Sequence, residues 1–170
     1  MKLVICEKQT AARRIANILS KGKLKRNSIG KIPFYTFERD NEEWVVVGLK
    51  GHIITLDFPK ELNRWNSVPL EELVWSQPIK IVSNKEIDKV LKNLSKHDLD
   101  VIIATDFDRE GELIGLETIE LLRKYGKNIK SIRRARFSTL TREEIEKAFS
   151  NLVEIDCNLA RSAEARQIID

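Results

Sequence analysis

Residues 101–125 constrain the fold of this chain most tightly. Val101-Ile102-Ile103-Ala104 is an apolar run of strand length, and such a run bounded by turn-like residues reads as a strand buried on both faces. Directly after it comes Thr105-Asp106-Phe107-Asp108-Arg109-Glu110-Gly111-Glu112, with four acidic residues within seven positions. From Glu112-Leu113-Ile114 through Leu121-Leu122 the apolar residues recur at helical spacing. Carboxylates therefore stand where a strand ends and a helix begins, which is where open α/β sheets bind ligands. Like charges at this density repel: a pair about 4 Å apart costs on the order of 4 kcal/mol at an effective dielectric near 20. A hard divalent cation removes that cost. Asp and Glu oxygens suit Mg²⁺, which takes one or two protein carboxylates, keeps several waters and holds phosphate as well. The alternative is a solvated acidic first turn, favoured by the positive end of the helix dipole. It accounts for Glu110 and Glu112 better than for Asp106 and Asp108, which precede the helix and flank Phe107.

The rest of the chain repeats the strand–helix alternation. Lys2–Cys6 reads as a strand, and Thr10–Leu19 as a helix with Ala12, Ile15, Ala16 and Leu19 on one face. Lys31–Arg39 and Glu43–Leu49 read as strands joined through Asp40-Asn41, a hairpin signal. Residues 57–78, with Pro59, Trp65, Pro69 and Trp75, read as an irregular insertion. Ile79–Val82 is a short strand, and Asn84 is a candidate cap for a helix to about Lys96. The helix that follows the acidic segment stops at Gly126, and Asn128–Phe137 is the next strand. Thr141 caps a further helix, with Glu144 in capping-box position. Asn158–Asp170 is helical and meets no stop signal, as in a piece of a longer chain. The alternation predicts an α/β domain over 1–150 with a mostly parallel central sheet and helices on both faces. Residues 151–170 are expected to begin an adjoining helical domain.

With 170 residues and 42% hydrophobic content the chain has enough apolar material for a core. Met1–Ile5 is too short for the apolar region of a signal peptide, and no stretch approaches transmembrane length. Cys6 and Cys157 are the only cysteines and lack partner histidines at metal spacing, so zinc is not expected and a reducing cytosol fits. The net charge of +4 is modest, but it is segregated. No acidic residue falls between Lys8 and Phe37, nor between Leu121 and Arg142. Basic blocks beside an acidic cluster suggest a polyanion held against a metal. Solvated surface lysines are the plainer account for Lys21–Lys25, less so for Arg133, Arg134 and Arg136, which interrupt a strand-like run.

Glu7 at the tip of the first strand, beside Asp106-x-Asp108-x-Glu110 at the tip of a later one, resembles the Toprim domain of topoisomerases, bacterial-type primases and some nucleases. Val4-Ile5-Cys6-Glu7-Lys8-Gln9-Thr10-Ala11, Gly51-His52, Thr105 to Glu112, Arg136-Phe137 before Thr141, and Asn158–Asp170 together are similar to the N-terminal part of type IA DNA topoisomerases, of the archaeal and topoisomerase III-like kind. The resemblance implies a Toprim, Rossmann-like fold. It also implies ATP-independent breakage and rejoining of single DNA strands through a 5′-phosphotyrosine, with relaxation of negative supercoils. The cofactor implied is Mg²⁺, with Mn²⁺ able to substitute. The partners implied are DNA, preferentially single-stranded regions, and the remaining domains of the enzyme, including the one that bears the Tyr. No membrane is implied; the setting is cytoplasmic, at the nucleoid. This chain holds only Tyr35 and Tyr125, neither in a matching motif, so the chain alone is expected not to cleave DNA.

The roles that follow are Glu7 as proton donor and acceptor for the 3′-oxygen, or else a helix N-terminal acid, and Lys8 as a point charge on the scissile phosphate or a surface lysine. Asp106 and Asp108 act as metal ligands assisted by Glu110. Arg136 contacts DNA. Arg109 contacts DNA or pairs with Glu7 or Glu112. His52 is a structural histidine or a phosphate contact. Arg166 and Asp170 form an ordinary helix pair or lie on the helix that holds single-stranded DNA. Trp65 and Trp75 pack the insertion onto the sheet or stack on bases. Two departures stand out: Ala11 occupies a place where bacterial members carry Lys, and Thr139-Leu140-Thr141 replaces a frequent Glu-Ile-Thr. A Toprim nuclease or primase-like enzyme, or a non-catalytic nucleic-acid-binding module, are the alternatives.

Overall fold

The computed structural model describes residues 1–49, 54–57, 79–82, 85–126 and 129–155, with the backbone alone at 54–57 and 79–82. Its elements in chain order are β1 (Lys2–Cys6), α1 (Gln9–Ser20), β2 (Lys25–Ile29), β3 (Ile32–Arg39), β4 (Glu42–Gly48), β5 (Ile54–Asp57) and β6 (Ile79–Val82), followed by α2 (Lys85–Leu94), β7 (Leu99–Ala104), α3 (Arg109–Tyr125), β8 (Ile129–Arg134) and α4 (Arg142–Ser150). Six strands form one sheet in the order β2-β3-β4-β1-β7-β8. β4, β1, β7 and β8 run parallel, while β3 and β2 add antiparallel to one edge. β5 and β6 form a separate antiparallel ribbon pairing Asp57 with Ile79. The span 58–78, with Trp65 and Trp75, lies outside the described residues.

The central strands are apolar throughout because both faces are covered. Leu3, Ile5, Val101 and Ile103 point into one core with α2 and α3. Val4, Cys6, Ile102 and Ala104 point into the other with α1 and α4. All eight are at most 2% exposed, and each fully buried aliphatic side chain contributes about 1.5–3 kcal/mol. The helices expected on both faces are thus present.

Local chemistry sets the boundaries. Asp40 and Asn41 both adopt positive φ, at 52° and 59°, as a two-residue hairpin turn requires. β2 is a strand the sequence hid. Lys25-Arg26-Asn27-Ser28 has no apolar alternation because its side chains are exposed at a sheet edge, and a charged edge discourages further pairing. Gly126 follows α3 as expected, but for a different reason. Its φ of −141° is extended, and a Cβ there would lie 2.4 Å from the Ser95 carbonyl oxygen. Close approach, not left-handed backbone, requires the glycine. Thr141 caps α4, accepting from the Glu144 N–H at 3.4 Å. The Glu144 carboxylate, however, accepts from the Ser138 N–H at 3.1 Å, one loop upstream of where a capping box would put it. Beyond α4, Val153 bridges Arg134 in antiparallel fashion.

Candidate metal and phosphate site

Two loops build the site. β1 and β7 are adjacent and parallel, with Cys6 opposite Ala104, so Glu7 and Thr105-Asp106 emerge side by side. α1 leaves β1 toward one face, and α3 leaves β7 toward the other. The chain tips therefore bound a crevice at the point where the connections diverge, the place where open α/β sheets bind ligands.

The segment Thr105–Glu112 is held by a buried framework. The Thr105 hydroxyl donates to the Gly111 carbonyl at 2.7 Å. The Asp108 Oδ1 accepts from the Gly111 N–H at 2.7 Å, which caps α3. Glu112 is 1% exposed and accepts from Arg134 Nε at 2.6 Å. The Arg134 guanidinium, 0% exposed, also donates to the Thr105 carbonyl at 2.6 Å and the Asp106 carbonyl at 2.7 Å. One planar fork thereby fixes the main chain on both sides of the first aspartate. Burial pushes the Arg134 pKa down while Glu112 pulls it back up. Two sequence expectations change here. Glu112 is no solvated first-turn acid but half of a buried ion pair. Asp108, which a solvated acidic first turn explains poorly, is the N-cap of α3, and it still leaves Oδ2 for another partner.

Gly111 has an equally definite reason. A Cβ there would stand 1.8 Å from the Asp106 carbonyl oxygen. Gly111→Ala must push the loop off the helix, and overpacking of this kind costs about 1–3 kcal/mol. Urea unfolding of the variant is expected to show a lowered midpoint; an unchanged midpoint would mean the loop yields freely.

Asp106, Asp108, Arg109 and Glu110 are exposed around this frame, and Lys8 is exposed across the crevice. Glu7 is half-buried. Its carboxyl faces the Asp106 side chain within hydrogen-bonding reach, yet Oε2 is buried with no donor. Both follow from two carboxylates meeting, since neither brings a proton unless one is protonated. Burial raises the Glu7 pKa, the Asp106 hydrogen bond and the charges of Asp106 and Asp108 raise it further, and the Asp106 main chain lowers it. α1 begins with no side-chain cap at Lys8 and no acid in its first turn, so its first N–H groups and dipole favour an anion at that end. Arg136 is exposed and lies over Phe107, 4.6 Å from the ring centroid. His52, Arg166 and Asp170 lie outside the described residues.

The carboxylates fit a cation that needs few protein ligands. Among the described residues no three acidic, histidine or cysteine side chains form a ready cage. Asp106 and Asp108, with the orphaned Glu7 oxygen nearby, instead suit Mg²⁺, which binds one or two carboxylates and completes its shell with water and phosphate. Neither tyrosine is near. Tyr35 is buried in β3. Tyr125 ends the 17-residue α3, about 25 Å along the helix from the site, and donates to Asp88.

Sequence reasoning set Arg134 apart from solvated charge, together with Arg133 and Arg136, but gave it no partner and no role under the acidic loop. An arginine pair between Ile132 and Ala135 in a strand-like run was the available signal for a buried role.

A sheet with paired acidic strand tips, Glu on the first strand and Asp-x-Asp after a later one, is the arrangement of one known family. The chain belongs to the Toprim domain family, which matches residues 2–140. Among known proteins it is similar to DNA topoisomerase 1 of Archaeoglobus fulgidus, with 46% identity over 99% of this chain and 25% of the relative. DNA topoisomerase 3-alpha of Homo sapiens is 30% identical over 99% of this chain and 18% of its own length. Full-length topoisomerase I of Thermotoga maritima superposes with a TM-score of 0.60 at 28% identity, covering 98% of this chain and 23% of that one. The chain spans about a quarter of the length of the curated relatives it matches first. No helix among the described residues is long and apolar enough to cross a membrane.

Proposed function

We propose that the chain is the metal-binding and acid–base portion of a type IA DNA topoisomerase, which breaks and rejoins single DNA strands without ATP and relaxes negative supercoils in the cytoplasm, at the nucleoid. The observation that carries this reading is the Glu7 carboxyl set against Asp106 at the tips of two adjacent parallel strands. It is supported by relatives named DNA topoisomerase that match nearly the whole chain.

In the proposed reaction a tyrosine from the rest of the enzyme releases its phenolic proton to water and attacks phosphorus, the bond from phosphorus to the 3′-oxygen breaks, and a 5′-phosphotyrosine forms. Covalent storage of the bond removes any need for ATP. Glu7, holding its proton more tightly than an ordinary glutamate, gives that proton to the departing 3′-oxygen and takes it back on religation. Lys8 and the open N-terminus of α1 receive the scissile phosphate. Asp106 and Asp108, with Glu110 assisting, hold Mg²⁺ or Mn²⁺. The metal supplies charge neutralisation at the phosphate. Arg109 and Arg136 contact the strand, with His52, Arg166 and Asp170 as further DNA contacts.

The test is a relaxation assay with the full-length protein on negatively supercoiled plasmid in Mg²⁺ without ATP. Relaxation together with a protein–DNA adduct at the 5′ end is expected. Free nicked ends with no adduct would favour a nuclease and overturn the reading.

A further inference from the structure

Phe107 is the only large apolar side chain exposed among the described residues, at 48%. It sits between the two aspartates. Its ring is not idle. The Arg136 guanidinium lies 4.6 Å from its centroid and that of Arg134 6.0 Å, an arrangement that orients a ring through cation–π attraction.

Phe107 and Arg136 line a groove of about 380 Å³ together with residues of the segment after β8 and of α4 and its C-terminal end. Its polar groups include Ser138, Lys147, Asn151 and Glu144. The one acid among these is committed, because Glu144 Oε2 accepts the Ser138 N–H. Asn151 donates through Nδ2 to the Lys147 carbonyl at 2.9 Å, which leaves Oδ1 as an acceptor. The groove thus offers an aromatic face, two cations in Arg136 and Lys147, and amide and hydroxyl groups. A buried apolar segment of protein would strand those cations. A nucleotide matches them, with a base on the ring and phosphate beside the guanidinium.

We propose that Phe107 is a stacking platform for an unpaired base flanking the phosphate bound at Asp106 and Asp108, and that Arg136 and Lys147 take the adjoining phosphate. This rests on the topoisomerase reading and extends it, since it fixes where the strand runs beyond the metal. It makes Phe107 a positioning contact that sets the register of the strand without reading its sequence, because every base has a π-face.

The test uses this chain, Mg²⁺ and short single-stranded oligonucleotides carrying 5-iodouracil at successive positions. Photo-cross-linking is expected to map to Phe107 from one or two positions. Phe107→Ala is expected to weaken binding by about 5-fold or more, Phe107→Tyr to retain it, and Phe107→Leu to behave like Ala. Binding retained by Phe107→Leu, or cross-links that map away from the groove, would overturn the stacking proposal and leave the topoisomerase reading standing. No single-strand binding by the unaltered chain at low salt would count against both.

Discussion

Arg134→Ala is expected to cost about 3–5 kcal/mol of folding stability, because it strips a buried ion pair of its guanidinium. A shift of the thermal midpoint on the order of 10 °C follows for a domain of this size. The loss has two parts. Glu112, 1% exposed, must either ionise without its guanidinium or take up a proton. The carbonyls of Thr105 and Asp106 also lose charged donors at 2.6 and 2.7 Å. Arg134→Lys is expected to rescue little, because one ammonium cannot span a carboxylate and two carbonyls in a plane. Replacing both partners, as in Arg134→Met with Glu112→Leu, is expected to be milder than Arg134→Ala, since both charges of the pair leave together. Denaturant unfolding of the three variants decides this. If Arg134→Ala unfolds at the midpoint of the unaltered chain, the frame beneath the acidic loop is not built as described.

The second large effect concerns Glu7. In the full-length protein Glu7→Gln is expected to slow DNA cleavage by about 10²–10⁴-fold, the usual worth of a positioned acid or base. The amide preserves size and much of the hydrogen bonding but cannot deliver a proton. Unchanged cleavage at every pH would remove Glu7 from the chemistry. The same variant has a stability signature that needs no DNA. A carboxyl whose folded pKa is raised makes the folded state bind more protons than the unfolded chain. Stability then declines as pH rises from the ordinary value of 4.5 through the raised folded value, and stays reduced above it. Glu7→Gln lacks this decline. In metal-free buffer it is therefore expected to gain thermal stability relative to Glu7 as pH increases, and the difference is expected to vanish below 4.5. An identical pH profile for both proteins would show that Glu7 is not held against Asp106.

The legible parts of this molecule are those in which one residue answers to one local rule. Val101–Ala104 had to be a doubly covered strand, and its alternate residues do enter two cores. Asp40-Asn41 had to be a tight turn. The meeting of β1 with β7 is a different matter. No periodicity states that Cys6 lies opposite Ala104, and only resemblance to a known family placed Glu7 beside Asp106. The illegible parts are those in which a residue serves something distant in sequence. Arg134 has no visible partner until β8 is docked beside β7 and the side chain reaches under the loop. Gly111 looks like a flaw in a helix until Asp106 presses on it. β2 could not be seen from its own side chains, since an exposed edge carries no apolar pattern and takes its pairing from β3.

Metal titration addresses the proposed cation site at Asp106 and Asp108 directly. Mn²⁺ binding to this chain should be followed by electron paramagnetic resonance, with and without a single-stranded oligonucleotide. Competition by Mg²⁺ and the variants Asp106→Asn and Asp108→Asn complete the set. Binding that is weak alone, tightens with the strand, yields to Mg²⁺ and is lost in each variant is the expected result. Mn²⁺ left free in solution even with the oligonucleotide present, or bound equally well by both variants, would contradict it.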